Sequence, residues 1–567
     1  MNDISANPLL ETDREASAAA MATALFRRKR VLLIDDQRTF QVMMKAMLQN
    51  IGLNHITLLS TAEEARRRCQ KESFDIYLID YNLGSGENGR QFLNYLRESK
   101  QLSPEAIAVI VSGDNSRSMV LSALESEPDD YMMKPFSQEQ LRQRLQRALQ
   151  RKLELKEIFV ALQKEDKAEV IRQCEAAIGR DTRYGNYCRC LMAEMHMQLG
   201  DTDKARHVLR SGLAAGESSW LRLGLGKACQ MLGRNDEAIE HLKKALQLRP
   251  LMVEAYRWLA AAQLASGYGA EAVETLTRAT EISPQSQLLH RQLAEISLAH
   301  GDYFKARESL STMIELNRFE TERNPQLIGS YVHCLILHAM NSDDPFHIRN
   351  LQKQVNSALY RCRQALIDSD FDYPGFEQIC QARVQMARGD LLRGKRMLYK
   401  TAHNYGDKPG EMATPLLSSM VLALMQLGDF EYAGELQPLL KSQGVMDPLL
   451  QECIQSVQKD QSQRERQQKY QELNEQGIKA YTDGRYEEAL GFFREALRKA
   501  PANTSAALNK AQAILQLLKE QDKKKGHELI EECKNTLELL DGVLLNTAQQ
   551  ERLKKLQDEL QHNKMRG

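Results

Sequence analysis

The sequence predicts a two-part molecule: an N-terminal α/β domain with a doubly wound parallel sheet, followed by a long all-α solenoid. Three observations carry this prediction. Short aliphatic runs stop at polar residues and alternate with helical patterns over residues 29 to 151. Small residues, glycines and prolines then recur with a period of 34. The length, 567 residues, is too great for one hydrophobic core.

The first run, Val31-Leu32-Leu33-Ile34, ends in Asp35-Asp36. A second strand centres on Leu58. The run Phe74 to Ile79 ends at Asp80, and Ile107 to Val111 ends at Ser112. A fifth strand is expected near Tyr131-Met132, leading to Lys134-Pro135-Phe136. Helical patterns lie between them at Phe40 to Asn50, Ala62 to Lys71, Arg90 to Ser99, Ser116 to Glu125, and from Gln138 onward. In such a sheet ligands bind at the carboxyl ends of the strands, where the polar residues fall.

Three carboxylates, a hydroxyl and a lysine in one crevice make a site for a divalent cation and a phosphoryl group. Clustered carboxylates repel one another and are held best by a hard cation such as Mg²⁺, which takes oxygen ligands. A carboxylate can then attack phosphorus and become an acyl phosphate, while an ammonium and a hydroxyl bind phosphoryl oxygens.

These residues, in this order and spacing, resemble the receiver domain of two-component response regulators over residues 29 to 150. The resemblance implies a flavodoxin-like (βα)5 fold. It makes Asp80 the phosphoacceptor, with Ser112 and Lys134 binding the phosphoryl group. It makes Asp36, Asp80 and the backbone carbonyl of Asn82 ligands of Mg²⁺, with Asp35 acting largely through water. Ser112 and Tyr131 become the switch pair, and the Lys134-Pro135 bond is expected to be cis. Leu83-Gly84 departs from the family's frequent Met-Pro, and the loop Gly84 to Gly89 is one residue longer than the commonest form. No Gly-Lys-Ser/Thr follows its glycines, so a nucleotide site is not expected. Polar Asn82 and Asp114 flank the expected path of hydrolytic water and point to a short phosphoryl lifetime.

After Gln138, Leu141, Leu145, Ala148, Leu155 and Leu162 keep helical spacing, interrupted by Lys152 where an apolar residue would fit. This reads as the last helix of the first domain running on as a connector; a dimerising helix, and so a homodimer, is the second reading. The repeat follows. Leu225-Gly226, Gly233, Ala238, Leu242, Ala245 and Pro250 recur as Leu259-Ala260, Gly267, Ala272, Leu276, Ala279 and Pro284, then as Leu293-Ala294, Gly301, Ala306, Leu310 and Met313. Met192-Ala193, Gly200, Ala205 and Leu209 fit one unit earlier with a residue fewer. The period identifies tetratricopeptide repeats, stacked helix pairs that bind peptides. Weaker units sit at Gly389-Asp390-Leu391 and Gly428-Asp429-Phe430, and a clear one returns with Gly477, Tyr481, Gly484, Ala489, Phe493, Ala496 and Pro501. Residues 320 to 380 fit no register, so helices of irregular length are expected.

The expected organisation is a disordered tail over 1–26, the receiver over 27–150, an α-solenoid over 151–454, a polar linker over 455–471, and a C-terminal repeat with further helices over 472–567. Arg27 to Arg30 reads as a solvated lead-in. Zero formal net charge gives nucleic acid no help. No apolar run is long enough to span a bilayer, and a cytoplasmic location is expected. Ten scattered cysteines lack zinc spacing and read as small buried hydrophobes. Trp220 and Trp258 read as packing residues; His290, His300 and His338 read as structural. Lys243, Arg257, Arg278 and Arg291 offer a basic stripe for an acidic peptide, with ordinary solvated charges as the alternative. The expected function is phosphorelay signalling: a histidine kinase or phosphotransfer protein phosphorylates Asp80, and the repeats bind an unidentified protein target. The protein is not expected to be an enzyme in the usual sense. The alternatives are a phosphorylation-independent scaffold that docks to a kinase, and a regulator that sequesters an enzyme or transcription factor.

Overall fold

The computed structural model describes residues 26, 28–84, 87–113, 128–180, 183–316, 323–366, 369–406, 408–444, 447–459, 461–501, 503–520, 526–540, 545 and 547–566. They form two compact units, residues 1–289 and 290–567.

The first unit opens with β1 (Arg30–Ile34), α1 (Arg38–Asn50), β2 (His55–Leu59), α2 (Ala62–Cys69), β3 (Ile76–Asp80), α3 (Gly89–Glu98), β4 (Ile107–Ser112), β5 (Asp130–Met133) and α4 (Gln138–Glu154). All strands pair in parallel, in the order β2-β1-β3-β4-β5. Alternation along the strands explains why both faces are covered. Val31, Leu33, Ile76, Leu78, Ile107 and Val109 turn toward Met44 and Leu48 of α1 and Leu141 and Leu145 of α4. Leu32, Ile34, Tyr77, Ile79, Ala108 and Ile110 turn toward Ala62 and Ala65 of α2 and Phe92, Leu93 and Leu96 of α3. Side-chain caps start three helices: Thr61 caps α2, and Asn88 with Gln91 and Ser137 with Gln140 form capping boxes on α3 and α4. The expected helix Ser116 to Glu125 lies outside the described residues, as does most of the expected tail. Phe26 corrects the end of that tail: it is buried in the core that the sheet shares with α1 and α4. The basic lead-in is also less solvated than expected, since Lys29 bridges Asp75 at 2.7 Å and Arg30 pairs with Glu72.

The connector does not run straight on. α4 ends at Leu155, which is buried with φ −108° and ψ 18°, and α5 (Lys156–Gln163) starts afresh. Lys152 faces inward across this break, 3.2 Å from Asp129, with its ammonium 4.2 Å from the centre of the Phe159 ring. A polar residue sits in the apolar stripe because a half-buried acid and an aromatic face await it.

Next come α6 (Lys167–Gly179), α7 (Gly185–Gln198), α8 (Thr202–Ala215), α9 (Ser219–Met231), α10 (Asn235–Leu248), α11 (Val253–Ala265), α12 (Gly269–Ile282) and α13 (Gln287–His300). The glycines between paired helices, Gly200, Gly233 and Gly267, have φ of 85°, 72° and 84°. This left-handed turn is what glycine alone makes without strain. Gly226 answers a different need: a Cβ there would lie 2.4 Å from Leu242 Cγ across the helix pair. Trp258 packs partly into its repeat's core, but Trp220 is half exposed beneath the Arg249 guanidinium, so its packing role is corrected.

In the second unit, α14 (Tyr303–Leu316) is followed by α15 (Pro325–Met340), α16 (Pro345–Ala365) and α17 (Tyr373–Ala387). Their lengths of 16, 21 and 15 residues explain the lost register. The pairs α17 with α18 (Leu391–His403), and α19 (Thr414–Leu427) with α20 (Phe430–Ser442), turn at Gly389 and Gly428 with φ of 93° and 86°. The expected polar linker is corrected. Its residues lie in α21 (Pro448–Lys459) and α22 (Gln461–Thr482), where Val457 and Tyr470 are buried. The twelve residues between these two, 458–469, are all polar, so the segment is anchored near its ends and not along a continuous apolar stripe. α22 pairs with α23 (Tyr486–Lys499), and α24 (Thr504–Glu520), α25 (Gly526–Glu538) and α26 (Thr547–Arg566) follow.

Two polar networks tie helices together. Arg291 pairs with Asp447 through two contacts of 2.6 Å, and Arg278 with Glu274 at 2.7 Å, so these members of the basic stripe already have acidic partners. Arg383, almost fully buried, donates to His333 Nδ1 at 2.6 Å and to Gln426 at 3.2 Å. Burial and the nearby guanidinium hold His333 well below its ordinary pKa, so the neutral ring accepts from Arg383 and donates to Ser456 at 3.1 Å. Of the ten cysteines, Cys190 is half-buried and the rest are buried, all as free thiols.

Candidate functional site

Sheet register brings the polar strand ends together. Ile34 pairs with Ile79, Asp80 with Val111, and Ser112 with Met133. Asp35 therefore emerges beside Asp80, and Ser112 and Lys134 emerge on the two strands beyond. Asp35 and Ser112 are fully buried, Asp80 is nearly so, and Asp36 is exposed. One oxygen from each of Asp35, Asp36 and Asp80 lies within 4.8 Å of the others. Lys134 Nζ reaches in from the loop after β5, 2.7 Å from Asp35 Oδ2 and 3.1 Å from Asp80 Oδ2. The Lys134-Pro135 peptide is cis.

Burial is the main force raising the Asp80 pKa, to about 6; Asp35 and Asp36 add to it and Lys134 opposes it. Three carboxylates face one ammonium, so the crevice carries excess negative charge and offers only hard oxygen donors. That donor set fits Mg²⁺. Asp36, the exposed acid, has solvent access for a hydrated ion, while Asp35 is committed to Lys134 and to the Gln37 backbone N–H at 2.9 Å.

Tyr131 lies half-buried on β5 against the core beneath α2 and α3. Its carbonyl accepts from Arg144 of α4 at 3.2 Å, and Arg144 also bridges Asp130 at 2.6 Å. Asn82 is exposed just past Asp80; Asp114 lies outside the described residues.

Three residues that the sequence reading passed over also build the site. Gln41 of α1 is buried and donates to the carbonyls of Asp35 at 2.6 Å and Leu59 at 3.0 Å, which fixes the acidic turn. A glutamine on the inner face of a predicted helix was the available signal. Gly89 starts α3 hard against β3: a Cβ there would lie 2.1 Å from the Asp80 carbonyl oxygen. Its signal was a glycine directly after a capping asparagine. Phe40 of α1 lays its ring 3.8 Å from Lys134 Nζ, measured to the centroid; nothing in the sequence joins these two. At the rim, Glu87 of the longer loop bridges Arg66 at 2.5 Å, and Arg66 stacks on Tyr95.

Comparison with known proteins agrees with the geometry. Residues 31–146 match the response regulator receiver domain. Residues 230–285, and 190–250 with 474–521, match two tetratricopeptide repeat families. The chain is 31% identical over 123 residues to the alkaline phosphatase synthesis transcriptional regulatory protein PhoP of Bacillus subtilis, covering 22% of this chain and 49% of that one. It thus spans about half the length of that relative. It is 23% identical over 131 residues to the chemotaxis protein CheY-3 of Vibrio cholerae, covering 23% of this chain and 99% of that one. Among solved structures, a CheY-like receiver domain protein from Methanospirillum hungatei is similar at 24% identity, covering 22% of this chain and 94% of that one, with a TM-score of 0.20. The chain carries a response regulator receiver domain at its N-terminal end, followed by tetratricopeptide repeats.

Proposed function

We propose that this protein is a phosphorelay response regulator that accepts a phosphoryl group on Asp80 and signals through protein contacts made by its repeats. The observation that carries the reading is the convergence of Asp35, Asp36 and Asp80 on one point, with Lys134 bridging two of them. Asp80 forms a bond to phosphorus as the P–N bond of a donor phosphohistidine, or the acyl P–O bond of acetyl phosphate, breaks. Asp36, Asp80 and the Asn82 backbone carbonyl would hold Mg²⁺, with Asp35 as the further acid of the cluster. When bound, the ion offsets the negative charge of the clustered oxygens. Lys134 exchanges its hold on Asp80 for a phosphoryl oxygen, and Ser112 donates to another.

The output follows β5, the strand that leads into Lys134. β5 is held at its far end by Asp129, which bonds Ala108 on one side and Lys152 on the other. Lys152 stands at the break that leads into α5. Further contacts reach the first helices after it: Arg151 lies over Tyr187, and Arg183 bridges Glu154. A repacked β5 therefore biases the helices ahead of the repeats. The partners are a histidine kinase or phosphotransfer protein and a protein target; the location is the cytoplasm. Among the described residues no helix is long and apolar enough to cross a membrane.

Incubation with acetyl phosphate and Mg²⁺, followed by peptide mapping, tests the chemistry. Label is expected on Asp80, absent after Asp80→Asn and after chelation. An unlabelled wild type would sink the proposal and leave the phosphorylation-independent scaffold.

A further inference from the structure

Lys134 has three N–H groups. Two are engaged by Asp35 and Asp80 at 2.7 and 3.1 Å. The ammonium also lies 3.8 Å from the Phe40 ring centroid, well inside cation–π range. The ring is itself held: it is half-buried on α1 and meets Phe136 edge-on, 6.2 Å between centroids at 86°. Phe136 follows the lysine by two residues, so the aromatic pair clasps both ends of the short segment that delivers the ammonium. Gln41, next to Phe40, ties the same turn of α1 to the backbone of Asp35. One helical turn thus fixes an acid of the site and the cation that faces it.

We propose that Phe40 is a positioning residue for phosphoryl transfer, holding the Lys134 ammonium over the acidic crevice through its π face. This deepens the phosphoacceptor reading and rests on it. A lysine stem is long and costly to immobilise. Lys134 must release Asp80 as the carboxylate becomes an acyl phosphate, and must then meet a phosphoryl oxygen. During that exchange the ring, like the Asp35 carboxylate, remains a partner that phosphorylation does not consume. It keeps the charge where negative charge develops, which is the preorganisation that speeds such reactions. An aliphatic side chain of similar bulk would fill the space without attracting the cation.

The experiment uses the full chain with Phe40 replaced in turn by mono-, di- and trifluorinated phenylalanine, which keep the ring's shape while draining charge from its face, and by Phe40→Leu. Two readouts are taken: the initial rate of Asp80 labelling by acetyl phosphate with Mg²⁺, and the metal-free Lys134 Cε resonance in protein carrying ¹³C-lysine. The rate is expected to fall stepwise with fluorination, roughly two- to thirty-fold across the series, with Phe40→Leu at the low end and melting temperature unchanged among the fluorinated proteins. The wild-type resonance is expected to show a ring-current shift that Phe40→Leu abolishes. Equal rates across the series, or rates that merely track melting temperature, would overturn the proposal. If the wild type takes no label, the phosphoacceptor reading fails. The resonance then decides separately whether Phe40 holds the ammonium, and an unshifted wild-type signal refutes that too.

Discussion

Asp80 is a carboxylate that the fold itself makes hard to ionise. Its folded pKa of about 6 lies above its ordinary value of 3.8, chiefly through burial. The unfolded chain therefore releases this proton first, so the stability of the metal-free protein falls as pH rises from about 4 through 6 and levels off above. Asp80→Asn removes that cost. It is expected to raise metal-free stability by about 2 kcal/mol at pH 7, with the gain gone near pH 4, as read by urea melts. Mg²⁺ is expected to stabilise the wild type and to do so far less for the variant. Gly89 offers a second test beside the same residue. A methyl group there collides with the Asp80 carbonyl oxygen. Gly89→Ala is expected to cost about 2 kcal/mol or more and to slow acetyl phosphate labelling, because the β3 end must shift to admit it.

Elements meet their neighbours through a few polar contacts that hydrophobic patterning does not reveal. Lys152 and Asp129 are both about 11% exposed on their side chains and stand 3.2 Å apart. Lys152→Met strands Asp129 and is expected to destabilise the protein by about 3 kcal/mol, while Lys152→Met with Asp129→Asn recovers most of the loss. Both variants are expected to lose the change in hydrogen exchange over Lys156–Gln163 that beryllofluoride with Mg²⁺ produces in the wild type. A change that survives in both would remove this pair from the output route. The sequence marked Lys152 as an anomaly in an apolar stripe, but its partner is a carboxylate 23 residues earlier, on a different element. The same holds for the supposed linker over 455–471. Its composition is polar, yet it lies in two helices whose apolar anchors, Val457 and Tyr470, stand near its two ends with only polar residues between them.

At the scale of the whole chain, the receiver is an α/β core with helices on both faces of its sheet, the repeats that follow pack chiefly as neighbouring helix pairs, and residues 294–457 share a continuous core. Repeat arrays of this kind unfold with limited cooperativity. Denaturant unfolding is expected to show more than one transition, with beryllofluoride and Mg²⁺ moving only the transition that includes Lys29–Arg151. A single transition, displaced as a whole by the ligand, would show instead that the repeats and the receiver unfold together.

Sequence by itself determined the strand order of polar endings, the periodic glycines and alanines, and hence the α/β and repeat architectures. Such features are local, since a strand's hydrophobic alternation and a turn's need for positive φ are met within a few residues. Even the acidic site was legible, because a parallel sheet delivers every strand end to one edge. Tertiary structure alone decided what stands around those ends. The Phe40 ring over Lys134, Gln41 behind Asp35, Asp129 opposite Lys152, and the break at Leu155 all depend on distances between elements far apart in the chain. Attraction and burial act through space, so no spacing along the sequence records them.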